Sequence, residues 1–240
     1  MAKTQITGAI QLAASDIFGD SSVQEHALGS VGFAENGRTF RYVKAGGTAL
    51  VPGKLQQGPA VVANHQNIAC AVAAHGATSV TVTLGATAAT ANQYAGGTLV
   101  INDVDGEGHT YRIASHPAAG SGETLVLTLD DPILVALTAS SEACLFPNLY
   151  NGVVVNPTTP TNAPVGVAVK AITASYYGWI QTHGPVSCLN DSATAVGLGI
   201  APSQAVAGAV KTMAATLSQV GYALQAGVDT EYRTVFLTID

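Results

Sequence analysis

Asp103, Asp105, Glu107 and His109 alternate along one acidic stretch, with His116 seven residues further on. Such a set could hold a hard cation or zinc. A calcium loop of the EF-hand type needs Gly at its sixth position and a bidentate Glu at its twelfth. Counted from Asp103, Gly106 falls at position four and Ala114 at position twelve, so the stretch reads as a solvated hairpin tip. His65, His75, His109, His116 and His183 follow no zinc-ligand spacing. Nucleophilic catalysis has a similarly weak basis. There is no Gly-x-Ser-x-Gly elbow, and Ser187–Cys188 has only His183 nearby as a conceivable base. Glu107, Glu123, Asp130, Asp131 and Glu142 stand beside turns, where carboxylates are solvated, and do not form a hydrolytic pair. The expectation is a chain with no catalytic residue, no metal and no cofactor.

Composition narrows the classes further. The 240 residues are 48% hydrophobic but only 10% charged, far below the roughly 25% of ordinary domains. Gly, Pro, Thr, Asn and His interrupt every apolar run before it reaches the ~18–20 residues of a spanning helix, so no membrane partner is expected. The opening Met1–Thr7 lacks the basic-then-apolar layout of a signal peptide. Nine Lys and Arg, scattered and outnumbered by fifteen Asp and Glu, cannot neutralise a run of phosphates, which argues against nucleic acid. Cys70, Cys144 and Cys188 are widely spaced and read as reduced thiols; a single disulfide would leave its pair undetermined. A surface this neutral suits a protein packed against its own copies or a larger assembly.

The elements that would position these residues are strands. Residues 79–84 alternate strictly with β-branched side chains, and 96–113 reads as a hairpin turned at Asp105–Gly108. Residues 122–129 add a strand stopped by Asp130–Pro132, and Pro52-Gly53 occupies the centre of a type II turn. Residues 156–164, rich in Pro and Thr, read as a linker or rigid loop. Beyond it, 165–174, 206–213, 220–226 and 232–239 read as strands, with a short helix as the alternative over 201–217. Residues 1–36 carry Ile10, Leu12, Ile17 and Phe18 without a supporting period, the pattern of an extended arm that docks on a partner.

The segment Ala174–Pro185 holds the only Trp and two of the eight Tyr. With a period of two, Tyr177, Trp179, Gln181 and His183 share one face, and Gly184-Pro185 ends the strand. Three segments in order, Gly37–Gly58, Gly166–Pro185 and Val220–Ile239, resemble the capsid decoration, or cement, proteins of tailed bacteriophages. They cover roughly a third of the chain. The resemblance implies a mainly β fold: a small β-barrel body (37–66 with 165–240), an inserted β-sandwich or barrel-like domain (67–164) and an extended N-terminal arm (1–36). It also implies a structural virion protein that binds the outer capsid surface as a homotrimer, with the major capsid protein as its partner. Made in the bacterial cytoplasm, it would use Ile17, Phe18, Phe33, Tyr177, Trp179 and His183 as protein-interface residues. The alternative is a head-fibre or tail-associated receptor or carbohydrate binder, with Tyr177 and Trp179 facing solvent to stack on sugars. A phage-borne hydrolase is a third reading.

Overall fold

The computed structural model describes residues 10–240. Its chain is mainly β, and the alternation of the sequence dictates where each strand turns its side chains. Along Thr124–Leu129 the Leu side chains at 125, 127 and 129 are buried and the residues between them are exposed. Contacts divide the chain into two units, residues 60–148 and residues 1–59 with 149–240.

Unit 60–148 is an antiparallel sheet with the spatial order Ile68–Ala69, Glu142–Phe146, Thr98–Asp103, Thr110–Ser115, Thr124–Leu129, Ser79–Thr83. A bridge between Cys70 and Val82 joins the last strand to the first, so the sheet closes on itself. Leu99, Ile101, Ile113, Leu125, Leu127 and Leu145 fill the interior, all fully buried. Gly106 turns the hairpin at a φ of +85°, and a Cβ there would lie 2.7 Å from Leu137, so the tip admits only Gly.

In the other unit, Thr39–Ala45, Asn151–Val155, Leu55–Gln57, Pro164–Ala168 and Tyr177–Leu189 pair in that order. The first half of Tyr177–Leu189 pairs back with Thr39–Ala45, which closes a five-stranded ring. Val43, Val153, Val165, Ala168, Ile172 and Ile180 pack inside it. The same long strand then continues into a second sheet. His183–Leu189 pairs with Tyr232–Thr238, followed by Gly221–Ala223, Gly199–Pro202 and Val210–Thr212. A parallel bridge from Val210 to Asn190 closes this second ring around Val186, Cys188, Ile200, Val235 and Leu237.

Several expectations are corrected by this arrangement. The inserted unit runs over 60–148 and not 67–164, because Asn151–Val155 supplies the parallel partner of Thr39–Ala45. The Pro- and Thr-rich stretch is held to the first ring, with Gln57 Nε2 donating to Thr161 Oγ1 at 2.6 Å and Asn162 Nδ2 donating to the Pro59 carbonyl at 2.6 Å. Pro185 does not end its strand, which runs through to Leu189. Leu189 donates its N–H to Gly53, away from Tyr232–Thr238, and by alternation position 185 faces the same way. The ladder therefore loses no hydrogen bond at Pro185. Residues 10–36 are folded against the body: Ile10–Gln11 pairs with Val31–Phe33, Asp20–Ser21 pairs with Tyr177–Gly178, and Ile17 is buried. Residues 1–9 of the expected arm lie outside the described residues. Within 201–217 the structure has strand residues to Pro202 and again over Val210–Thr212, with no helix.

The alternation makes a direct stability prediction. Leu127→Ala should cost about 2–5 kcal/mol, and Val126→Ala, on the solvent side of the same strand, under about 0.5 kcal/mol. Urea unfolding of the two variants checks this, and equal losses would break the assignment of faces.

Candidate functional site

The aromatic segment is built into the first ring. Trp179 lies opposite Tyr42 in the ladder, and their rings meet edge-on at 5.1 Å. Ile17 and Phe40 complete the buried cluster, with Leu12, Leu28 and Tyr177 packed at its margin. Gly32 makes this possible, because a Cβ there would sit 2.5 Å from Leu12 and 2.9 Å from the Trp179 ring. Trp179 is 3% exposed and Tyr177 half-buried.

Of the interface residues expected from sequence, the structure brings Ile17, Tyr177 and Trp179 together. Phe18 and Phe33 remain in solvent, 56% and 39% exposed. His183 stands apart, edge-on to Phe236 at 5.0 Å. Sugar stacking would need Trp179 in water, and its indole instead packs under residues 12–32.

The outer face of the second ring was not foreseen. Gly199, Tyr222, Phe236 and Pro185 stand opposite one another on successive strands, all pointing away from the core. Met213 Sδ lies 3.4 Å from where a Cβ on Gly199 would be, which extends the row. Tyr222 and Tyr232 are about half exposed on this face. Period-two reading of 220–223 and 232–238 contains this face, but whether an aromatic lies inward or outward depends on register. Near one end of the face, Val51, Val169, Val186 and Tyr232 line a groove of about 610 Å³ with Arg38 also in its wall.

The residues singled out for chemistry are used locally. Asp105 accepts from the Thr138 hydroxyl at 2.9 Å, and its carbonyl accepts from the Ser141 hydroxyl. Among the described residues no three His, Cys, Asp or Glu side chains converge as a metal site. His65 and His116 are buried around Tyr94. The Tyr94 hydroxyl meets His65 Nδ1, and the other His65 nitrogen donates to the Thr87 carbonyl at 2.9 Å. His116 Nε2 accepts from the Tyr94 N–H at 2.9 Å, which leaves Nδ1 to donate to the Pro117 carbonyl at 2.7 Å. His116 is thereby satisfied as a neutral imidazole, and both His65 nitrogens have a hydrogen-bond partner. Burial pushes the Tyr94 phenol up to about 12 and draws His116 below the ordinary histidine range. Cys188 is fully buried, and burial raises its thiol to about 12, so it is no thiolate nucleophile; His183 lies on the other side of the strand. All three cysteines are free.

Arg233 was also missed, although alternation places it on the inward face with Val235 and Leu237. It is buried beside Cys188, its three side-chain nitrogens have no hydrogen-bond partner among the described residues, and burial draws its pKa below the usual arginine value. Among the described residues no helix is long and apolar enough to cross a membrane. No family model, curated protein or solved structure matches this chain.

Two predictions arise here. Trp179→Ala should cost about 3–5 kcal/mol in denaturant unfolding, because it empties the cluster that holds residues 10–33 to the ring. An unchanged midpoint would show the indole to be idle in the fold. His116 should make the protein acid-sensitive. Its neutral form is favoured by folding, so its contribution is complete above about pH 6.5 and declines as pH falls through that value toward the lower folded pKa. Melting curves between neutral and mildly acidic pH should show this slope, and it should be smaller in His116→Asn.

Proposed function

We propose that this chain is a non-enzymatic structural protein of a phage virion that decorates the outer surface of the capsid. One observation carries the reading: the apolar row Met213–Gly199–Tyr222–Phe236–Pro185 on the outer face of the second ring. A contiguous apolar sheet face with tyrosines half in water is the kind of surface that another protein covers. Exposed Phe18 and Phe33 give the region around residues 10–36 a second apolar contact. The resemblance of the three segments to decoration proteins supplies the partner, the major capsid protein, and the homotrimeric state. Closed β rings suit the task, because a surface ordered before binding loses little further entropy on association.

Decoration works by mass action. A protein that binds only the assembled lattice stabilises it by RT ln(1 + [L]/Kd) per site, about 2.7 kcal/mol at a hundredfold excess over Kd. The test is co-sedimentation of the purified protein with shells assembled from the major capsid protein of the same virus, with sedimentation equilibrium of the protein alone. Binding to shells but not to free capsid subunits, and a trimer in solution, are the expected results. Tyr222→Glu with Phe236→Glu should weaken binding or trimer formation at least tenfold. Undiminished assembly by that variant would remove the apolar row from the interface.

A further inference from the structure

Beside the aromatic cluster the body carries a pit of about 190 Å³. Buried Tyr42 and Trp179 form its floor, half-buried Tyr177 and His26 its walls, and exposed Asp16 and Glu25 its rim. The rings hold one another in place: His26 meets Tyr42 edge-on at 5.1 Å and is tilted against Trp179 at 5.4 Å, Tyr42 meets Trp179 at 61°, and Tyr177 stacks nearly parallel to Tyr42 at 6.1 Å. The Tyr42 hydroxyl also accepts the Glu25 N–H at 3.1 Å, which keeps the rim segment against the floor.

Aromatic faces are electron-rich and attract cations. Tyr177 already holds one, with Lys44 Nζ 5.4 Å from its ring centroid. The charge at the pit is otherwise negative and largely uncommitted. Asp20, which also borders the pit, is engaged by Lys170 Nζ at 2.6 Å and by the Thr173 N–H at 3.0 Å. Among the described residues the Asp16 carboxylate accepts only the local Ala13 N–H, and neither Asp16 nor Glu25 forms an ion pair.

We propose that this pit receives a lysine or arginine side chain of a protein partner, its cationic head over the rings and between Asp16 and Glu25. The volume suits one long side chain. The charged head would lie over the rings within the field of the rim carboxylates, and the alkyl stem would run past the half-buried walls toward the partner. Exposed Phe18, two residues beyond Asp16, offers apolar contact to the chain that carries the cation. This recognition stands on the geometry of the pit alone and does not depend on the partner being a capsid.

Trp179 is the only tryptophan, so its emission reports on the pit directly. Titrating the full chain with N-acetyl-lysine amide or N-acetyl-arginine amide should give a saturable emission change, and the uncharged N-acetyl-norleucine amide should give none. The variant Asp16→Asn with Glu25→Gln keeps side-chain size and should bind the cationic probes about tenfold more weakly. Single Glu25→Gln, an exposed side chain, gives the same comparison should the double variant fail to fold. A norleucine probe that binds as well as lysine, or unchanged affinity in the variants, overturns cation recognition. No saturable response to either cationic probe overturns the site.

Discussion

The thirteen-residue strand Tyr177–Leu189 is required by both rings of the body, and that shared membership constrains everything around it. Its first half must pair with Thr39–Ala45, and its second half with Tyr232–Thr238. A single regular strand would run straight past one of them. The change of direction is made at a register shift between Gln181 and His183 and at Gly184, whose φ of +91° is open only to glycine at little cost. The Gln181 amide ties the bend together by donating to the carbonyls of His183 and Pro185. Because the bend is fixed, Trp179 is set in the first ring and Phe236 faces outward from the second. The two surfaces with functional promise therefore both trace back to it.

Ring closure also explains how so weakly charged a chain manages its backbone. An open sheet offers unpaired N–H and C=O groups along its edges, and charged residues usually guard them against pairing with other chains. Here the Cys70–Val82 and Val210–Asn190 bridges and the ladder between Tyr177–His183 and Thr39–Lys44 pair edges that would otherwise be open. The remaining edge, Val31–Phe33, is partly covered by Ile10–Gln11. The few charged side chains are thus available for specific tasks, such as the bidentate pair of Arg41 with Asp240.

Much of the fold was legible because period two is a local signal. The strands at 79–83, 98–103, 110–115 and 124–129, the Gly106 hairpin tip and the Pro52-Gly53 turn could each be read from a few adjacent residues. Long-range pairing was not legible. Residues 156–164 read equally as a linker or a rigid loop until the partners of Thr161 and Asn162 are known, and Ile17 looks unsupported until Trp179 is placed beneath it. The candidate sites follow the same division. The aromatic strand announced itself by composition, whereas the pit needs Asp16 and Glu25 brought to Tyr42 by folding, and the outer row needs the register of four strands. Arg233 is the instructive miss: alternation puts it on the inward face with Val235 and Leu237, and a buried cation is what local pattern alone gives no reason to expect.

The order of strands around the first ring carries a consequence for biosynthesis. Gln57 finds its ladder partner in Val154, and Phe40 finds its own in Gln181, so neither contact exists until a long stretch of chain has been made. Residues 60–148, by contrast, close their own ring from contiguous chain. Non-local pairing is slow because loop-closure entropy must be overcome before any contact compensates for it. As the polypeptide leaves the ribosome, the inserted unit is therefore the first part able to become globular. Once folded, it joins Pro59 and Leu149 through a compact body instead of a loose loop of its whole length, and so lowers the entropy lost when Leu55–Gln57 meets Asn151–Val155.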